Sequence, residues 1–231
     1  MDNYGQFSSF DELRGAARAE LHAHLFSREH VKLGSRRYRF EHCLRVAKIG
    51  AHVARKEDLD AEELELACLL HDIGKYDAEF PVDHGRAGAL IATDVLCGFG
   101  LSQAVVGEIA QGIAMHTDGL CNIRADAQGS SRDATGREYM HFDSAPSVLA
   151  RSVGDCDNID RFSVYRIYDT LRYFNFLDQS TSEQIDTVNE YLSTLERQRE
   201  YTCATDYAQK MWIEALDYQK GYFERLLAQI S

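Results

Sequence analysis

Two prolines in 231 residues, Pro81 and Pro146, are the strongest constraint this sequence places on its fold. Proline breaks helices because it lacks a backbone N–H and its ring clashes with the preceding turn, so its scarcity favours helix. Apolar residues also recur at three- and four-residue spacing, the period of an amphipathic helix. Residues Asp11 to Phe26 put Leu13, Ala16, Ala17, Leu21 and Leu25 on one face. After a short basic link at Gly34-Ser35-Arg36-Arg37, Tyr38 to Arg55 does the same with Phe40, Leu44, Val46, Ala47, Ile49 and Val53. A third helix is expected over Ala61 to Ile73, with Gly74 where a helix C-terminal glycine belongs. Asp83 predicts an N-cap for a helix through Leu96, and Ser102 one for a helix to Met115 or His116. Pro146 fits the first turn of the next helix, which carries Asp155. Three more are expected at Tyr165 to Phe176, Thr181 to Tyr201 and Thr205 to Ile230. No β alternation persists, so the expected class is all-α. Residues 118–137, rich in Gly, Ser and Asp and without a period, read as a long loop.

The formal charge of −12 argues against a nucleic-acid polymer or an anionic membrane as partner, since both reward clustered Lys and Arg. It leaves a small anionic substrate open, because buried divalent cations invert the local field. The most apolar stretch, Ala87 to Met115, is broken by Asp94, Gln103, Glu108 and Gln111 and does not suit a bilayer. The N-terminus lacks a basic and then apolar leader, and six scattered cysteines without a Cys-x-x-Cys pair read as small buried hydrophobes in a reducing compartment. The expectation is a cytoplasmic protein.

Chemistry begins at His71-Asp72. The pair ends an apolar helix (Leu64, Leu66, Ala67, Leu69, Leu70) and abuts Ile73-Gly74-Lys75. Two ionisable side chains at the inner end of such a helix need a partner, since burying them unpaired is costly. A metal ion suits an imidazole and a carboxylate pointing the same way. His42, His84, His116 and Asp155 lie on separate helices and could join them.

The segments RFEHCLRVAKI, LACLLHDIGK, HGRAGA and IAMHTDG, followed by a late Asp, resemble the HD superfamily of metal-dependent phosphohydrolases from about Tyr38 to Arg161. The resemblance implies an all-α HD-type helical bundle. It divides the chain into an N-terminal helical segment (1–35), an HD metal-binding core (36–165, containing the 118–137 loop) and an aromatic-rich C-terminal helical extension packed on the core (166–231). Carried over position by position, it implies that His42, His71, Asp72 and Asp155 hold one divalent ion. Asp72, His84 and His116 would hold a second, with Asp72 bridging as a catalytic residue. Mixed imidazole and carboxylate donors suit Mn, Fe, Co, Ni or Zn. Two such ions would activate a bridging water as hydroxide to cleave a phosphoester or phosphoanhydride bond in a small phosphorylated, nucleotide-like substrate. Lys75 matches a lysine of several HD subgroups and would contact a phosphate oxygen in a catalytic and binding role. Arg161 and His141 are further candidate substrate contacts.

Within the superfamily, HGRAGA and HTDG look most like small bacterial hydrolases of symmetrical dinucleoside tetraphosphates. Those usually carry Ala-Asp-Tyr-Ile at the last ligand, where this chain has Gly-Asp-Cys-Asp-Asn-Ile-Asp-Arg. The same six ligands also resemble those of HD-fold diiron oxygenases, and a nucleotide-sensing regulatory module without turnover is a third reading. The aromatic set Phe162, Tyr165, Tyr168, Tyr173, Phe174 and Phe176 reads as core, or as the contact of a homodimer through the C-terminal helices.

Overall fold

The structure is a computed structural model that describes residues 4–122 and 129–231. These form nine α-helices and two short 3-10 turns, with no strand among the described residues. Helix α1 spans Phe10–Phe26, α2 Leu33–Lys56, α3 Ala61–Leu70, α4 His84–Gly98, α5 Gln103–Met115, α6 Val148–Arg161, α7 Arg166–Tyr173, α8 Thr181–Gln198 and α9 Asp206–Ile230. Contacts divide the chain into two units, Met1–Asp157 and Asn158–Ser231.

In the first unit α2 packs on α3, α4 on α5, α3 on α5, and α1 on both α2 and α3. The expected apolar faces supply its core: Leu13, Ala17, Leu21 and Leu25 of α1, Val46, Ala47 and Val53 of α2, and the run Leu64 to Leu70 of α3 are all buried. Serine and aspartate side chains start the helices where their oxygens can accept free first-turn N–H groups. Ser9 accepts from Glu12 N, Asp60 from the N–H groups of Glu62 and Glu63, and Ser102 from Val105 N.

Several local expectations change. Helix α2 starts at Leu33, so the basic link is its first turn. Helix α3 stops at Leu70, and His71 to Asp77 continues as successive tight turns in which Ile73 N bonds Leu70 O, Lys75 N bonds Asp72 O and Asp77 N bonds Gly74 O. Gly74 is not a left-handed cap but a point of close approach: a Cβ there would stand 2.2 Å from Gly88 N and 2.7 Å from His84 O. Asp83 holds the N-cap position of α4 as expected, but its side chain makes no capping bond; it is fully buried, accepting from Arg86 Nη1 (3.0 Å) and Ser130 N (2.7 Å). Pro146 precedes α6, whose cap is Ser147, with Oγ accepting from Ala150 N at 3.0 Å.

The described parts of the 118–137 loop are tied down by side chains. Asn122 exchanges two bonds with the Phe142 backbone (2.7 and 2.8 Å), and Arg137 pairs with Asp94 at 2.7 Å. All six cysteines are free; Cys43, Cys68, Cys156 and Cys203 are buried as expected, whereas Cys97 is exposed. No helix among the described residues is long and apolar enough to cross a membrane.

In the second unit α8 packs on α9, and a Ser180–Glu183 capping box opens α8. Phe162 meets the buried Trp212 edge to face at 5.0 Å, and Tyr191 donates to the buried Gln219 at 2.5 Å. Of the aromatic set, Phe162 and Phe176 are core, while Tyr165, Tyr168 and Tyr173 face solvent.

Candidate metal centre

Five elements of the first unit converge on one buried cluster. His42 comes from the middle of α2, His71 and Asp72 from the turn after α3, His84 from the first residue of α4, His116 from the end of α5, and Asp157 from α6. The ligand atoms form two groups, His42–His71–Asp157 and Asp72–His84–His116, each with atoms within 4.8 Å of one another. Asp72 faces both. Its Oδ2 lies 3.6 Å from His42 Nε2 and 3.4 Å from His71 Nε2, and its Oδ1 lies 2.8 Å from His84 Nε2 and 3.7 Å from His116 Nε2.

Helix ends fix the imidazoles. The last carbonyls of a helix lack an intrahelical donor, and three histidines use carbonyls three residues back. The Nδ1 atoms of His71, His84 and His116 lie 2.7, 2.5 and 2.7 Å from the carbonyl oxygens of Cys68, Pro81 and Ile113. A carbonyl only accepts, so each Nδ1 carries a proton and each ring turns its Nε2 inward. The inward nitrogens meet one another: His42 and His71 Nε2 are 3.2 Å apart, and His84 and His116 Nε2 3.1 Å apart. Asp72 Oδ1 is buried and accepts no hydrogen bond despite its nearness to His84. Imidazole nitrogens and carboxylate oxygens packed this closely in a buried site need a cation among them, whether protons or a metal ion. The residues present therefore fit divalent ions, and four nitrogens with two carboxylates suit borderline transition metals.

Without an ion, protons and Arg39 carry the compensation. Burial alone would raise the Asp72 carboxyl and lower the His71 imidazolium. Instead the Arg39 guanidinium and His71 hold Asp72 well below the usual carboxylate range, and Asp72 holds His71 well above the usual imidazole value. Burial likewise opposes ionisation of Asp157, but bonds from His42 and His71 keep it well below the ordinary range. Burial, with His84 and His71 alongside, pushes His116 down to about 4. Cys43 groups with His71 and Asp72 as well, but burial pushes its thiol up to about 11, so it is neutral near pH 7.

The structure brings His42, His71, Asp72, His84 and His116 together. The sixth position differs from the sequence expectation: Asp157, not Asp155, stands 2.9 Å from His42 Nε2. Two residues advance a helix by about 200°, so the two carboxylates leave α6 on opposite sides. Ala150 and Val153 pack against Gly112 of α5 and Gly154 against His116, and Asp157 follows on that face. Asp155 is buried elsewhere on the helix. Lys75 does reach the centre, with Nζ 3.2 Å from His84 Nε2 and 3.9 Å from Asp72 Oδ1. His141 is exposed and lies 3.4 Å from Asp143. Arg161 belongs to the second unit and lies over the Phe162 ring at 5.7 Å.

Two contributors escaped the sequence reading. Arg39, three residues before His42 and hence on the same side of α2, donates to Asp72 Oδ2. Arg86, 2% exposed, ties Asp83 (3.0 Å) beside His84 to Asp118 (2.7 Å) and Leu120 O (3.0 Å) beyond His116. For Arg39 the signal was a charge at helical spacing from His42; Arg86, two residues past His84, carries no such signal.

The model of the HD domain family matches residues 39–161, more than half of the chain. This chain belongs to the HD domain family. A solved structure with a similar fold is that of a predicted HD superfamily hydrolase from an uncultured Thermotogales bacterium; it is 18% identical, superposes with a TM-score of 0.59, and the match covers 95% of this chain and 94% of that one. A search of curated proteins finds no match.

Proposed function

We propose that the protein is a metal-dependent phosphohydrolase that cleaves a phosphoester or phosphoanhydride bond in a small nucleotide-like substrate, using two divalent ions. The observation that carries the reading is Asp72, which turns one oxygen to each of two groups of inward-facing donors. His42, His71, Asp157 and Asp72 Oδ2 would hold one ion; His84, His116 and Asp72 Oδ1 the other. Ions so placed supply an activated water and neutralise charge on phosphoryl oxygens.

The chain's own residues prepare that chemistry. The three backbone-anchored imidazoles keep their lone pairs aimed without rotamer change. Arg39 fixes the orientation of Asp72, which decides how its two oxygens are shared. The Lys75 ammonium, about a quarter exposed, lies where it can turn outward to a phosphate oxygen. The Thermotogales protein of similar fold is itself described as a predicted hydrolase, which agrees with this reading.

The test is metal analysis of purified protein coupled to a nucleotide hydrolysis screen under anaerobic conditions, with Asp72→Ala as control. The expected result is release of phosphate or nucleotide that depends on Mn or a similar ion and disappears in the variant. Retention of metal and activity by Asp72→Ala overturns the assignment. A requirement for Fe and oxygen with an organic substrate favours the diiron oxygenase reading, and metal binding without turnover the regulatory one.

A further inference from the structure

The second donor group contains a cation of the protein's own. Lys75 sits in the tight turns after Asp72, and its Nζ lies 3.2 Å from His84 Nε2, 3.4 Å from His84 Nδ1 and 3.9 Å from Asp72 Oδ1. The Nδ1 proton of His84 is directed at Pro81 O, so Nε2 is the acceptor the ring presents. Nearly equal distances to the two nitrogens of one imidazole put the ammonium over the ring face, off the in-plane Nε2 lone pair. A metal ion would need the same Nε2 and the same Oδ1 at about 2.0–2.2 Å. It would then lie within about 5 Å of Nζ, a unit charge against a double charge in a largely buried site.

From this we propose that Lys75 is a built-in competitor for the second ion: its ammonium, held over the His84 ring and near Asp72, opposes a divalent cation there by its charge, and swings out when that ion binds. The inference rests on the two-ion reading above and adds an order and a coupling to it. At the first group the cation is Arg39, which donates to Asp72 Oδ2, so the first ion would share that oxygen with the guanidinium and need not push a cation off an imidazole ring. The second must evict Lys75. The side chain is 27% exposed, and its four methylenes allow the tip to rotate toward solvent. There it can meet a phosphate oxygen. An anion that captures the displaced ammonium favours the second ion, and by linkage the second ion favours the anion. Lys75 would thus hold the centre in a one-ion state until a phosphorylated ligand arrives.

The experiment is a Mn²⁺ titration of the metal-free full chain, by calorimetry and by the electron paramagnetic resonance of free Mn²⁺, with and without inorganic phosphate. The wild type should bind one tight and one weaker equivalent, and phosphate should tighten only the weaker. Lys75→Met should tighten the second equivalent by about tenfold or more, leave the first within about threefold, and abolish the phosphate effect. Lys75→Arg, which keeps the charge, should stay close to the wild type. If Lys75→Met leaves both affinities unchanged, or weakens the second, the competitor role is overturned while the two-ion reading stands. If the folded wild type binds no Mn²⁺, Co²⁺ or Zn²⁺, both are overturned together.

Discussion

At Asp72 a single carboxylate faces four imidazoles and a guanidinium, so substitutions around it separate ligands from bystanders. Asp157→Asn should lower affinity at the first group by at least about tenfold, because an amide is a poor substitute for an anionic oxygen against a divalent ion. Asp155→Asn should leave metal content within about twofold. Metal analysis after dialysis against graded chelator reads both, and equal losses would return Asp155 to the ligand set. Protons give a second test. His71 holds a proton well above the ordinary imidazole value when no ion is present, because Asp72 lies beside it. A metal must displace that proton, so binding at pH 7 should release about one proton, and affinity should fall about tenfold per pH unit as pH drops below the raised value. Calorimetry in buffers of different ionisation enthalpy measures the release; none at pH 7 contradicts the pairing. His42, His71, Asp72, His84 and His116 were legible in the sequence because motif order marks them. The last ligand was not, since Gly154-Asp155 and Cys156-Asp157 both place a small residue before an aspartate. Only the face of α6 that packs on α5 decides between them.

Helices were legible as elements because apolar periodicity is local, whereas their ends were set by what they meet. Helix α3 stops short because the next residues turn tightly to aim His71 and Asp72 inward. Asp83 holds the N-cap position that the sequence marks, but its side chain is claimed by Arg86 and Ser130. Gly74 has the same character. A methyl at Gly74 would press on the backbone of Gly88 and His84 at 2.2–2.7 Å, and backbone cannot move aside as a side-chain tip can. Gly74→Ala should therefore cost about 1–3 kcal/mol or more and weaken metal binding, since the shifted run of turns carries two ligands. Gly15→Ala is the matched contrast. Gly15 lies inside α1 with nothing within 4 Å of an added methyl, so helix propensity alone should act and stabilise by about 0.5–1 kcal/mol. Chemical denaturation of both variants checks the pair; similar effects would mean that close approach at Gly74 is not what the glycine serves.

At the scale of the molecule, a chain of net charge −12 keeps four imidazoles and two carboxylates converging in its first unit, and an ion changes the stability of that unit as a whole. An ion that binds only the folded form stabilises it by RT ln(1 + [L]/Kd), about 2.7 kcal/mol at a free concentration a hundredfold above Kd. The helices that supply ligands also supply the buried leucines of the same unit, so loosening them exposes core rather than a surface loop. Chelator should consequently lower Tm by several degrees, and Mn²⁺ or Zn²⁺ should restore it in a concentration-dependent way. Hydrogen exchange should place the added protection at the turn of residues 71–77 and at the ends of α4 and α5, where His84 and His116 sit. Asp72→Asn should remove most of the metal-dependent rise, because it weakens both groups at once, whereas Asp157→Asn should remove only part. A melting temperature indifferent to chelator and metal in the wild type would mean that the converging side chains are satisfied by protons alone.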